Sequence, residues 1–135
     1  MAGRMSRNKG ARAEREFIAL VQEVVDEVLG EETFELKRNL FQTREGGNDV
    51  AGTPEKFDFY SLEIKRQEKL SIPAWRRQTR EQARPHQWAI LAYRQNHCPW
   101  HIIMEEPATG DTYEMILEDF LEWFKSMLGI YAHCG

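Results

Sequence analysis

Glu63 and Lys65 stand two positions apart near the end of Phe57-Asp58-Phe59-Tyr60-Ser61-Leu62-Glu63-Ile64-Lys65-Arg66. The aromatic and branched residues of that run mark a β-strand. Side chains alternate across a strand, so the acid and the base share one face while Ile64 turns to the core behind them. Upstream, Asp49 follows Gly46-Gly47-Asn48 in a polar turn. Two carboxylates can hold a hard cation, and an ammonium beside them can steer a water or a phosphate oxygen. Metal-assisted cleavage of a phosphodiester needs that set.

The elements around these residues must bring them together. Asp49-Val50-Ala51 reads as a short strand, Thr53-Pro54-Glu55-Lys56 as its turn, and Phe57 to Arg66 as the antiparallel return. In such a hairpin the start of the first strand lies near the end of the second, so Asp49 approaches Glu63 and Lys65. Asp58 is a rival acid, but it is an odd number of residues from Glu63 and should face the other side. Ahead of the hairpin, a helix is expected from about Ala11 to Leu29, with Ser6 or Asn8 as cap and Gly30 at its end. Phe17, Ile18, Val21, Val24, Val25 and Val28 give it one apolar face. Glu14 sits on the buried edge of that helix, a place where the helix dipole also favours a first-turn carboxylate. Residues 1–10 read as a loose basic arm, and Phe34 to Phe41 as a strand.

After the Glu-Ile-Lys strand, Ser71 and Pro73 signal a helix that runs to about Ala83. Arg76, Arg77 and Arg80 are its charged positions, leaving Trp75, Gln78, Thr79 and Gln82 to pack or to reach toward the site. Trp88 to Arg94 and Pro99 to Met104 are two further strands, with a brief one at Thr112 to Met115. A last helix, about Leu117 to Leu128, buries Phe120, Leu121, Phe124 and Leu128. The order predicts an α/β sandwich around a mixed sheet, built as one domain over residues 1–135. The stretch 106–135 extends it beyond the core.

Net charge is −4, yet the charges are segregated. Arg4, Arg7, Lys9, Arg12 and Arg15 crowd the start, and Lys65, Arg66, Lys69, Arg76, Arg77 and Arg80 follow the strand. From Glu105 to Trp123 seven acids meet no base. A chain polarised this way can present a basic binding face and an acidic back. The longest apolar run, Trp88 to Tyr93, has six residues, too few to span a membrane. No apolar segment follows the basic start, so no secretory signal is expected. Cys98 and Cys134 form no disulfide framework, which fits a reducing, cytoplasmic setting.

Asp49 followed by Glu63-Ile64-Lys65 after thirteen intervening residues resembles the PD-(D/E)xK nuclease superfamily. Lys9-Gly10-Ala11-Arg12-Ala13-Glu14-Arg15 is similar to the opening of its archaeal-type Holliday-junction resolvases. Ile72 to Gln78, with Tyr93-Arg94 and Trp100, resembles small phage and prophage members. Asn48 stands where the superfamily has its proline. The resemblance covers roughly Lys9 to Glu105 and implies a restriction-endonuclease-like three-layer core, a central mixed sheet flanked by helices in the order αβββαβ. It implies Mg²⁺ or Mn²⁺ on Asp49, Glu63 and the Ile64 carbonyl, with Glu14 binding through water or a second cation. Lys65 would activate the attacking water, and Gln78 would support the lysine or a phosphate. DNA is the implied substrate, branched DNA included, with Arg7, Lys9, Arg12, Arg44, Arg66, Lys69, Arg76, Arg77 and Arg80 as the basic contacts.

A same-face surface ion pair is the bland account of Glu63 and Lys65. His97, Cys98 and His101, with His133 and Cys134, have poor spacing for a structural zinc site. Trp75 is the tryptophan to test for stacking on DNA, the other three reading as core. A catalytically silent DNA-binding module would share the fold, and a phage protein acting on a host protein would use the acidic last helix. Junction cutting would call for a two-fold homodimer, for which Met127 to Tyr131 could supply the interface.

Overall fold

The computed structural model describes residues 2–40 and 49–133, with side chains described from Gly10 onward. Helix α1 (Ala2–Leu29) opens the chain and ends at Gly30, whose φ of 89° suits a glycine cap. Short strands β1 (Lys37–Arg38) and β2 (Val50–Ala51) pair antiparallel. A 3₁₀ turn at Glu55–Phe57 leads into β3 (Tyr60–Arg66), then α2 (Ile72–Gln82) and β4 (Trp88–Arg94). Strands β5 (His101–Glu105) and β6 (Thr112–Ile116) precede α3 (Leu117–His133). The main sheet has the order β3-β4-β5-β6, with β3 and β4 parallel and the other pairs antiparallel. The molecule is thus α/β, a mixed sheet with helices on both faces.

Strand parity assigns the layers. Tyr60, Leu62 and Ile64 of β3 and Ile90 and Ala92 of β4 turn to α1 and α3, where they join Phe17, Val21, Phe120, Phe124 and Leu128 in the main core. Phe17 meets Trp100 edge-on at 4.9 Å and Phe120 at 5.8 Å, so the first and last helices lock over one ring cluster. The opposite face carries Ser61, Glu63 and Lys65 beside Ala89, Leu91 and Tyr93. There α2 lays down Trp75 and Thr79, both buried.

Several expectations change. The residues expected as a loose arm continue α1 back to Ala2; alanine, arginine and lysine are good helix formers, and Gly10 alone does not break the run. The strand expected over Phe34 to Phe41 shrinks to Lys37–Arg38, because Phe34 instead stacks on Phe57 at 5.6 Å and anchors an irregular segment; Phe41 lies outside the described residues. Strand β3 starts at Tyr60 and not at Phe57, whose backbone is spent in the 3₁₀ turn. Trp75 is buried at 6.1 Å from Tyr93, so it packs α2 and offers no face to DNA. In the tail Met127 to Tyr131, Leu128 is fully buried and Tyr131 stacks on Phe59 at 4.9 Å, while Ile130 is exposed.

Candidate active site

Asp49 links the two sheets. Its carbonyl accepts the Asn39 N–H at 2.8 Å, and its own N–H donates to the Leu62 carbonyl at 2.7 Å. Its Oδ2 accepts the Ile64 N–H at 2.6 Å, replacing the backbone partner that β3 lacks on this side. The expected hairpin between β2 and β3 is therefore reduced to backbone and side-chain bonds around Asp49, and β2 forms its ladder with β1. Asp49 nevertheless lies directly alongside Glu63-Ile64-Lys65, as expected.

Asp49 is 4% exposed and Glu63 3% exposed. Carboxylates held out of water need compensating charge or donors. The Ile64 amide serves Asp49, and the Lys65 ammonium lies 3.3 Å from Glu63 Oε1. The buried partner removes the pair from the class of surface ion pairs. The N–H and C=O of one strand residue point to the same side, so the Ile64 carbonyl faces Asp49 and not β4. Two carboxylates and a carbonyl are hard oxygen donors of the kind Mg²⁺ takes, with water completing its shell. Among the described residues, no three His, Cys, Asp or Glu side chains cluster to hold a metal, so a cation here would rest on that smaller set.

Ile64 and Lys65 also wall a cleft of about 510 Å³ with Gly10, Glu14, Arg66 and Lys69. Glu14 thus reaches the same opening from α1, but its Oε2 is bonded to Arg38 Nε at 2.7 Å. Arg38 had no role in the sequence reading; its partner is 24 residues away, and no local spacing encodes such a pair. Arg94, at the end of β4, holds Glu16 at 3.2 Å and covers the Trp100 ring at 5.2 Å, fixing the turn of α1 that carries Glu14.

The remaining expected residues divide. Lys69 and Arg66 line the cleft, with Arg66 Nε also donating to Asn96 at 3.1 Å. Arg12 and Arg77 are exposed. Arg76 and Arg80 are turned to the sheet, Arg76 to Thr112 at 3.1 Å and Arg80 to both Glu105 oxygens at 3.0 Å. Those partners, Glu105 of β5 and Thr112 of β6, pair in register beside α2, and the basic face is correspondingly smaller than the charge map implied. Gln78 sits on α2 and is not among the residues lining the cleft. Arg44 lies outside the described residues, as do the side chains of Arg7 and Lys9. Asp58 stands before β3 at its other end, where Gln87, Arg84 and His86 engage its carboxylate at 2.7, 3.4 and 3.3 Å. Its separation from Glu63 follows from lying outside the strand, not from strand parity. The cleft of about 610 Å³ around it is larger, but its acid is already saturated with donors.

Comparison with family models, with curated proteins and with solved structures found no match.

Proposed function

We propose that the chain is a metal-dependent endonuclease that hydrolyses DNA phosphodiester bonds on a restriction-endonuclease-like core of the PD-(D/E)xK type. One observation carries the reading: the 2.6 Å bond from the Ile64 N–H to Asp49 Oδ2, which aligns the first acid with Glu63 and Lys65. The order α1, β1, β2, β3, α2, β4, with parallel β3 and β4 joined through α2, supports it as the αβββαβ sequence expected of such a core.

Asp49, Glu63 and the Ile64 carbonyl would hold Mg²⁺ or Mn²⁺. When bound, the ion would make a water nucleophilic near neutral pH and offset the charge growing on phosphate. Lys65, aligned by Glu63, would hold the attacking water and donate to a phosphate oxygen as negative charge builds there. Glu14, held by Arg38 at the cleft wall, would orient a further water. Lys69 and Arg66, along the same cleft, would position the DNA backbone.

The test is a cleavage panel of branched, flapped, nicked, linear and supercoiled DNA with Mg²⁺ and Mn²⁺. Nicking should vanish with EDTA and return with either ion. Glu63→Ala and Lys65→Ala should each lower the rate at least about 100-fold while DNA binding persists. No cleavage of any substrate with either metal would sink the proposal. A silent DNA-binding module is the second reading, favoured by the Glu14 carboxylate being turned to Arg38. It predicts salt-steep DNA affinity with no turnover.

A further inference from the structure

Lys65 is one member of a row that runs across the sheet. It pairs in register with Tyr93 on β4, Tyr93 with His101 on β5, and His101 with Ile116 on β6. All four share the face that α2 occupies over β3 and β4. At the His101 end of β5 and β6 this face is open: His101, Glu114 and Ile116 are exposed, while α2 reaches the other end through Arg76 to Thr112 and Arg80 to Glu105. Tyr93 and His101 stack there at 5.4 Å with 24° between ring planes, and the buried Trp75 backs Tyr93 at a 50° tilt. Tyr93 and His101 border a cleft of about 210 Å³ that Glu114 and Ile116 close from β6. Tyr93 has its hydroxyl pKa raised by burial and by the nearby Glu114 charge, so the carboxylate and the ring share this space.

We propose that this open face binds an unpaired nucleotide beside the scissile phosphate, stacking its base on His101 and Tyr93. Two strand spacings separate His101 from Lys65, roughly 10 Å, so the platform adjoins the reacting phosphate. Stacked rings on an open sheet take single-stranded bases, because every base has a face to offer and a base in duplex does not expose it. The Glu114 carboxylate, an acceptor only, would take a hydrogen bond from an exocyclic amino group and so prefer cytosine to thymine. The substrate class is then DNA with an unpaired segment at the cut, which narrows the nuclease reading and rests on it.

The test measures binding of the full chain in EDTA, where no cleavage can occur, to labelled oligo-dC, oligo-dT and a blunt duplex. His101→Ala should weaken oligo-dC binding about ten-fold and leave the duplex unchanged, and His101→Phe should restore it. Unchanged oligo-dC affinity, an equal loss on duplex, or no rescue by phenylalanine would each overturn the platform. Wild type should favour oligo-dC over oligo-dT, with Glu114→Ala removing the preference; equal binding by wild type overturns the role of Glu114. Cleavage run in parallel with Mg²⁺ separates the two claims. Cleavage with a silent His101→Ala defeats the platform alone, and the His101 pattern without cleavage defeats the nuclease alone.

Discussion

Asp49 is bonded at its amide, its carbonyl and its carboxylate, and substitution can separate its structural and chemical parts. Asp49→Ala leaves the Ile64 N–H buried without its acceptor, which should cost about 1–3 kcal/mol in urea unfolding. Asp49→Asn keeps an oxygen there and should unfold close to wild type, yet both variants should lose cleavage. Tyr60 carries a prediction independent of function. Burial lifts its hydroxyl to about 12, against a lowering by its 2.7 Å bond to Thr53. The unfolded chain ionises this group near 10 and the folded chain only near 12, so its contribution is complete below pH 10 and lost across pH 10–12. Up to roughly 2–3 kcal/mol should disappear over that window. Tyr60→Phe should flatten the alkaline fall in denaturation midpoint.

At the scale of elements, Gly52 governs where β2 and Asp49 sit. Its φ is 96°, and a Cβ there would run into the Glu35 carbonyl oxygen. Gly52→Ala should therefore cost more than the roughly 1–3 kcal/mol of backbone strain alone, while Gly110→Ala, at φ 76° in open space, should cost only that strain. Thermal melts of the two variants give the comparison. Elements with a clean period were legible: α2 between Ser71 and Pro85, the strands at Trp88 and His101, and the alternation that puts Glu63 and Lys65 on one face. The start of α1 was not, because Arg4 to Gly10 lack the apolar stripe that marks a helix while still suiting one. Nor could spacing reveal that Asp49 would complete β3 by a side-chain bond, or that Arg38 would claim Glu14; both depend on how separate elements dock.

For the whole molecule, the charge map overstated the free basic surface. Arg77 and Arg80 are both exposed on the same helix, but Arg80 is held by Glu105 at 3.0 Å. In a salt titration of DNA binding, Arg77→Ala should lower the slope by about 0.9, and Arg80→Ala should leave it unchanged. The interlocking of α1 with α3 has a consequence in time. Phe17 packs on Phe120, and Lys125 holds Glu27 at 2.7 Å, so the helix that carries Glu14 needs the last described helix as its seat. A ribosome releases that helix after every residue of the cleft has already been made. A nascent chain stopped at Ile116 would hold all the candidate chemistry but lack the contacts of Phe120 and Lys125 that seat α1. The proposed cleavage would then begin only once synthesis had passed α3.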